Sequence, residues 1–247
     1  MKQNKTTKYF KYAIGEIILV VIGILIALSI NNWNEKRKLE NSKQQLMLGL
    51  KSELLKNKNE LENYSLELEK CNSKFNKVLL YSVGEYTIPN DSLKHYLTTM
   101  IYGRILSLLN SVQEEAINSG KFEMLSDSLK QSLSVLKDYT NSRNKVQDRS
   151  NDIFNFHSNN EADKLLAKLY MLPVVPDEFL IHTLVPTHPD FLLSDTDLSI
   201  LLKDPETYLT LNKIYLINAT DEVWVKYGLL RLTNETINLL DRELKDN

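Results

Sequence analysis

The chain has 247 residues, of which 43% are hydrophobic and 25% charged, with only 7 glycines and 6 prolines. This composition is ordinary for a folded protein and excludes a collagen-like or loop-rich chain. The single cysteine excludes an intrachain disulfide, and a formal net charge of −2 provides no basic surface for a phosphate backbone, so nucleic-acid binding is not expected.

The charge is distributed unevenly along the chain. Residues 1–38 contain seven Lys or Arg residues and two acidic residues, whereas residues 39–247 contain 23 bases and 30 acids. The excess of positive charge therefore surrounds one N-terminal segment, where it can meet anionic lipid headgroups.

That segment, residues 12–30, reads YAIGEIILVVIGILIALSI. As a helix it would span about 28 Å, close to the hydrocarbon thickness of a bilayer. Its strongly apolar residues outweigh the cost of one acidic residue near its start, so the sequence predicts a transmembrane helix and the lipid bilayer as a partner. The residues assigned to the span are Tyr12, Glu16, Gly23, Ala27, Ile30 and Trp33.

Two other interpretations of the segment stay open. It could be the core helix of a soluble protein, although a long uncharged β-branched run is unusual there. It could also be a cleaved signal peptide, because Ala27-Leu28-Ser29 has the small-x-small pattern of a cleavage site. Against this interpretation, the apolar run is long and basic residues follow it closely.

The orientation of the span is only weakly encoded, because basic residues are about equally numerous on its two sides. The short N-terminal tail contains no acidic residue, which favours a cytoplasmic N-terminus. For a bacterial host we therefore expect a single-pass protein of the inner (cytoplasmic) membrane, with its C-terminal domain in the periplasm.

A long helix is predicted after the span. Residues 35–80 contain no proline and only one glycine, and apolar residues recur every seven positions, which is typical of a coiled coil or helix bundle. Asn57 occupies an apolar position of this pattern, where a polar residue can fix register or oligomeric state. The same positions could instead face a bundle of the same chain. The candidate oligomer seam consists of Leu50, Leu54, Asn57, Leu61 and Leu68.

Capping signals predict the next helices. The first begins at Asn90 or Asp91 and runs to about Leu109, after a turn at residues 82–90. The second begins with a capping box, in which Ser111 accepts from the backbone and Glu114 reaches back, and it ends at Ser119-Gly120. Ser126 or Asp127 caps the third, whose inward residues are Leu129, Leu133, Leu136 and Val146.

The remaining part is predicted to be irregular and then helical. A short helix covers about residues 161–171, and residues 172–191 hold four of the six prolines. Asp204-Pro205 starts the final helix, with proline at its first position. Its predicted inward stripe is Tyr208, Leu211, Tyr215, Ala219, Val223, Leu230, Ile237, Leu240 and Leu244.

These elements predict an all-α protein, with one N-terminal transmembrane helix followed by a long-helix bundle or coiled-coil-like extramembrane domain. Residues 1–11 form a short basic tail and residues 12–33 the transmembrane helix. Residues 34–247 form the helical domain, with a proline-rich irregular segment at 172–191.

The run YAIGEIILVVIGILIALSINNWNE and the helix after it resemble a family of small single-pass membrane proteins of unknown function that is common in Bacteroidota. The resemblance is strongest over residues 9–38, and a weaker likeness covers AINSGKFEML at residues 116–125. It implies a topology and a location. Because the family is uncharacterised, it implies no activity and no catalytic residues.

No catalytic, cofactor or metal site is assigned, because phosphate loops, nucleophile elbows and zinc-protease motifs are absent. The lone Cys71 lies at an apolar heptad position and is interpreted as packing. His182, His188 and Asp190 have the residue types of metal ligands, but no further ligand lies near them in sequence, so solvated loop residues are the preferred interpretation.

Three functions are compatible with this pattern. The preferred hypothesis is a structural or protein-interaction module of the cell envelope, which binds a protein partner or itself. The second is a sensor-like helical bundle that binds an unknown small-molecule ligand and signals through a partner, since only about 12 residues precede the span. The third is an envelope enzyme, for which the sequence shows no converging residues.

Overall fold

The computed structural model of the protein describes residues 4–101, 106–154, 165, 168–169, 189–191 and 193–246. Within these residues the regular structure is entirely helical, so the all-α prediction is confirmed. The irregular segment predicted at 172–191 and the short helix at 161–171 lie mostly outside the described residues. Of them, residues 165 and 168–169 are helical, and Pro189–Phe191 forms a 3-10 turn.

The helix α1 spans Asn4–Ser82 without a break, so the hydrophobic segment and the long heptad helix form one element. At 1.5 Å per residue its 79 residues extend about 118 Å. Side chains from Ile14 to residue 45 are mostly exposed, and from Leu46 onward one side of the helix is buried.

The other helices follow in chain order. They are α2 (Asn90–Ile101), α3 (Ser111–Asn118), α4 (Asp127–Phe154), α5 (Asp195–Lys203), α6 (Pro205–Val223) and α7 (Leu230–Asp246). A 3-10 turn at Lys121–Met124 precedes α4, and a π-helical turn at Trp224–Leu229 joins α6 to α7. Helices α2, α3, α5, α6 and α7 all contact α1.

Two apolar cores lie one after the other along α1. The first surrounds residues 46–64 of α1 and includes leucines of α4 and the C-terminal helix α7. The second surrounds Phe75, Val78 and Leu79 and includes apolar residues of α2, α5 and α6. Burial of these side chains drives the packing of the bundle.

Three residues that were predicted to begin or end helices do so in the structure. The hydroxyl of Ser126 accepts a hydrogen bond from the backbone N–H of Leu129 at the start of α4. Asp204 caps α6 through the N–H of Thr207, with Pro205 at the first helical position. Gly120 follows α3 with φ of 73°, the left-handed conformation that glycine adopts most readily.

Two predictions about residues 106–114 are wrong. The segment from Leu106 to Asn110 is not helical, and Ser111 does not form a capping box with Glu114. The reason is tertiary: Glu53 of α1 accepts the hydrogen bonds of the Ser111 hydroxyl and the Val112 N–H, and so takes the capping role.

The predicted stripe of the last helix is interrupted by the π-helical turn. Val223 was expected to point inward, but 55% of it is exposed, whereas Val225, Gly228 and Leu229 in the turn are buried. A π-helical turn adds a residue to the helical repeat and rotates the buried face after it. The sequence analysis also missed α5, which Ser194 caps by accepting from the N–H of Asp197.

Gly228 allows the close contact between this turn and α4. A Cβ atom at residue 228 would lie 2.1 Å from Cε1 of Tyr139, and the Tyr139 ring packs on Trp224 with centroids 4.6 Å apart. The ring therefore cannot move away without losing that aromatic contact.

We predict that Gly228→Ala destabilises the protein by about 1–3 kcal/mol because of this overlap, although glycine-to-alanine changes inside helices usually stabilise by about 0.5–1 kcal/mol. Thermal and urea unfolding of the full chain in detergent, followed by circular dichroism, measures the change. In a Tyr139→Ala background the same substitution should become neutral or stabilising. A stabilising effect in the wild-type background would refute the contact.

Candidate functional site

The predicted membrane segment is exposed on all sides of α1. Large apolar side chains between Ile17 and Ile30 are 47–73% exposed, and the segment has a mean hydropathy of 2.5 with none of it buried. α1 is thus long and apolar enough to cross a membrane. Glu16, Gly23 and Ala27 are exposed in the same segment, whereas the side chain of Tyr12 lies outside the described residues.

Trp33 marks the end of this segment. It is exposed, and the guanidinium of Arg37 lies 5.1 Å from its ring centroid. Lys38 pairs with Glu35 at 3.1 Å, so the following turn is charged. An amphipathic aromatic side chain followed by charged side chains is typical of the place where a helix leaves a bilayer.

The residues of the candidate oligomer seam face the inside of the bundle. Leu50, Leu54, Asn57 and Leu61 are buried in the first core, and Leu68 packs on it while half-buried. They contact other helices of the same chain, as in the second interpretation of the heptad pattern. Of the five, only Leu68 keeps part of its side chain accessible.

Asn57 and the nearby Glu53 hold the segment between α2 and α3 against α1. The Asn57 amide donates to the carbonyl of Leu109 and accepts from its N–H, both at 2.7 Å. Glu53 accepts from the Val112 N–H at 2.9 Å and from the Ser111 hydroxyl at 3.0 Å. These buried polar groups therefore replace the helical hydrogen bonds that residues 106–112 lack.

A buried ion pair lies between the two apolar cores. Arg143 of α4 is 1% exposed and contacts Asp221 of α6 through two parallel hydrogen bonds, Nε to Oδ1 at 2.8 Å and Nη2 to Oδ2 at 2.7 Å. Tyr64 of α1 donates to Asp221 at 2.7 Å and accepts from Arg143 at 2.9 Å. We call Tyr64, Arg143 and Asp221 the polar triad; it joins three helices.

Asn72 and Glu222 extend this polar layer by about two turns of α1. The Asn72 amide donates to the Glu222 carboxylate at 2.6 Å. Two buried polar atoms of the layer have no hydrogen-bond partner, Oδ1 of Asn72 and Nη1 of Arg143. Since only Val223 separates Asp221 and Glu222 from the π-helical turn, the layer and this irregularity are close together in the chain.

The sequence analysis did not find the polar triad. Arg143 lies seven residues after Leu136 and fourteen after Leu129, so the apolar stripe of α4 contained a signal that a charged residue faces inward. The polar composition around it hid this signal. The sequence around Asp221 contains no such signal, because its partner Arg143 is 78 residues away.

Burial and the neighbouring charge shift the pKa values of the triad. Burial, and secondly the Asp221 carboxylate, raise the pKa of Tyr64 above its ordinary value. For Arg143, burial acts to lower the pKa, but the hydrogen bonds and charge of Asp221 outweigh it and leave the pKa raised. Arg143 is therefore charged and Tyr64 neutral at any physiological pH.

The other chemical candidates of the sequence are the lone cysteine, the aromatic residues of the last helices and the histidines. Burial raises the pKa of the Cys71 thiol, which agrees with a packing role. Tyr208 and Tyr215 pack on the second core. His182 and His188 lie outside the described residues, and no group of three metal-ligating side chains occurs among the residues that are described.

A cavity of about 240 Å³ opens beside the polar triad in the first core. Its walls combine leucines of α1, α4 and the π-helical turn with polar residues. Among the polar residues are Glu53, Asn57, Lys137, Arg143 and Thr233.

The raised pKa of Tyr64 predicts how stability changes in alkaline solution. Neutral Tyr64 contributes stability below its unfolded pKa of about 10, and this contribution is lost as the pH rises toward the folded value. Tyr64→Phe should cost about 1–3 kcal/mol at neutral pH, since it removes hydrogen bonds to charged groups, and progressively less above pH 10. Urea unfolding at a series of pH values measures the difference. The exposed Tyr227→Phe is the matched control, and a pH-independent cost for Tyr64→Phe would contradict the assignment.

Comparison with known proteins gives one match. Residues 16–87 match the model of a family of unknown function, DUF6090. No curated protein and no solved structure matches the chain. The matched range contains most of the apolar segment, the bundle part of α1 and Tyr64, whereas Arg143, Asp221 and residues 116–125 lie outside it. The expected likeness to an uncharacterised family is confirmed to this extent: the chain carries a DUF6090 domain of unknown function at residues 16–87.

Proposed function

We propose that this chain is a single-pass membrane protein of the cell envelope whose helical bundle acts as a structural and protein-interaction module. The observation that carries the proposal is the continuity of α1, which leads from an exposed apolar segment into the bundle without a break. Apolar side chains exposed on every side are stable in lipid and unfavourable in water.

The continuous helix sets the distance between bilayer and bundle. Thirteen residues separate Trp33 at the end of the span from Leu46, the first buried core residue, which corresponds to about 20 Å of helix. We place the N-terminus in the cytoplasm and the bundle in the periplasm, since residues 1–11 contain four lysines and no acidic residue. The module would then act at a fixed height above the inner membrane.

An exposed apolar row on α6 supports self-association as the interaction. Leu209, Leu216 and Val223 are spaced by seven residues, and Tyr227 continues the row; all four are 45–64% exposed. Seven-residue spacing is the pattern of a helix pairing seam. We commit to a second copy of this chain as the occupant, because every copy would present the row at the same height.

The small size of the row makes membrane confinement necessary. A standard stable interface involves about 20–30 residues on each side, many more than these four. Tethering two copies in one membrane raises their effective concentration and allows a weak contact to persist. The pair should therefore form in membranes and dissociate when the protein is diluted in detergent.

Cysteine crosslinking tests the proposal on the full chain. Leu216→Cys in a Cys71→Ser background is expressed, membranes are washed with carbonate, and a mild oxidant is added. We expect the protein to stay in the washed membranes, to form a disulfide-linked dimer there, and to lose the dimer after dilution in detergent before oxidation.

Asn76→Cys in the same background is the matched control, because residue 76 is exposed on α1 and does not belong to the row. Release of the protein by carbonate would overturn the membrane anchor. Retention with equal crosslinking at residues 76 and 216, or with none at 216, would overturn self-association through α6 and leave the anchor intact.

The sensor-like alternative is favoured by a different observation, the cavity of about 240 Å³ beside the polar triad.

A further inference from the structure

The cavity beside the polar triad is lined by both exposed and buried residues, so it leads from the surface of the bundle into the first core. Its volume is about 240 Å³, and its walls come from α1, residues 106–110, α4, the π-helical turn and the start of α7. Buried apolar cavities of about 150 Å³ bind benzene, so the space suffices for a benzene ring with a polar substituent. The inner wall is apolar and includes the buried leucines Leu50, Leu54, Leu133, Leu136 and Leu229.

The buried amide and charged residues that line the cavity already bind other parts of the chain. Asn57 and Glu53 are engaged by the backbone of residues 109–112, and Arg143 is engaged by the polar triad. These contacts hold the walls in place. The polar group of a ligand is therefore more easily bound at the mouth of the cavity, where the lining side chains are exposed.

One face of α4 provides donors at this mouth. Lys137, Asn141 and Asn144 line the cavity and are exposed, and their spacing of four and then three residues places them on the same side of the helix. Among the residues that the structure describes, none of the three has a hydrogen-bond or ion-pair partner. They offer one ammonium and two amide groups, all of which can donate hydrogen bonds. We call these three residues the α4 donors.

Charge favours an anion at the mouth. Among the described residues that line the cavity, Lys137 is the only exposed ionisable one, since Glu53 and Arg143 are buried. A carboxylate accepts hydrogen bonds from ammonium and amide groups, and its bonds are stronger than those of an uncharged acceptor. At the mouth it keeps part of its hydration, which lowers the cost of removing a charge from water. An amine would instead be repelled by Lys137.

We propose that this cavity binds a small amphiphilic monocarboxylate, whose apolar ring or short chain lies against the buried leucines and whose carboxylate lies at the α4 donors. Removal of the apolar part from water provides most of the affinity. The carboxylate determines the orientation of the molecule and the preference for an acid. This inference gives the sensor-like alternative a class of ligand, and it depends neither on the membrane anchor nor on pairing through α6.

Three probes of nearly equal shape test the proposal. Phenylacetate carries a negative charge, phenylacetamide is uncharged, and phenylethylamine carries a positive charge. Their binding to the full chain in phosphatidylcholine nanodiscs is followed by ligand-observed NMR at millimolar concentration, with empty nanodiscs as the blank. We expect saturable binding of phenylacetate, roughly threefold tighter than that of the amide and roughly tenfold tighter than that of the amine, because exposed ion pairs contribute only modestly.

Lys137→Gln tests which group selects the acid. Residue 137 is exposed, so the substitution should leave the fold intact while it removes the ammonium. It should reduce phenylacetate binding to the level of phenylacetamide and leave phenylacetamide binding unchanged. Lys145→Gln is the matched control and should keep the wild-type preference, because Lys145 is exposed on the same helix and does not line the cavity.

A blocking variant locates the apolar part of the ligand. Thr140 lines the cavity, and its hydroxyl donates to the carbonyl of Leu136 in its own helix. Thr140→Phe should fill the space and weaken phenylacetate binding roughly tenfold, since a packed interior leaves no room for the ring. Thr220→Phe is the matched control, because Thr220 has the equivalent bond to Leu216 on an exposed face of α6 and does not line the cavity.

Unfolding curves of all four variants check that the bundle is intact, and the two lysine variants decide the result if Thr140→Phe unfolds. The proposal is overturned if phenylacetate does not saturate, or if phenylethylamine binds as tightly. It is also overturned if the two lysine variants bind phenylacetate equally, or if the two folded threonine variants do.

Discussion

The bundle depends on α1, because five of the other described helices pack against this one helix. The same helix exposes apolar side chains on all sides between Ile14 and Ile30 and buries only one side from Leu46 onward. One continuous helix therefore combines an apolar part that is exposed on all sides with a part that packs one side into the bundle. Since an α-helix bends only slightly without a proline or a similar interruption, the orientation of the apolar segment and that of the bundle are linked.

The polar triad separates the two apolar cores and fixes how three helices align. Tyr64, Arg143 and Asp221 form their hydrogen bonds in only one register of α1, α4 and α6. A buried ion pair often adds little net stability compared with apolar residues, but removal of one partner alone costs about 3–5 kcal/mol. The triad therefore adds little to the stability of this arrangement, but any other arrangement of the helices would leave a buried charge unpaired and would be less stable.

The π-helical turn lies next to this polar layer. It begins at Trp224, two residues after Glu222, and its residues Val225, Gly228 and Leu229 are buried. π-helical turns are uncommon and frequently occur near functional sites. Here the turn places Leu229 in the wall of the cavity beside the polar triad.

The sequence predicts those parts of the fold that arise from nearby residues. The seven-residue period indicated the long α1. Ser126, Asp204 and Gly120 marked helix ends, because each of these residues acts on the backbone within one helical turn. α5 was missed although Ser194 is a local capping signal, so this omission was avoidable.

What could not be predicted depends on residues far apart in the chain. Glu53 replaces a local cap for α3 from 58 residues away, and Asn57 binds the backbone of Leu109, which was expected to be helical, from 52 residues away. Arg143 and Asp221 are 78 residues apart, and neither signals the other. The cavity is formed by residues from four separate parts of the chain, so no motif describes it.

The distance between two spin labels across the junction of span and bundle tests the continuity of α1 most directly. Labels at Asn31→Cys and Asn59→Cys, both exposed positions of α1, in a Cys71→Ser background are separated by 28 residues. An unbroken helix predicts a single narrow distribution centred at about 42 Å in nanodiscs. A broad distribution extending to much shorter distances would show a flexible junction and contradict the rigid connection from which the proposed function is argued.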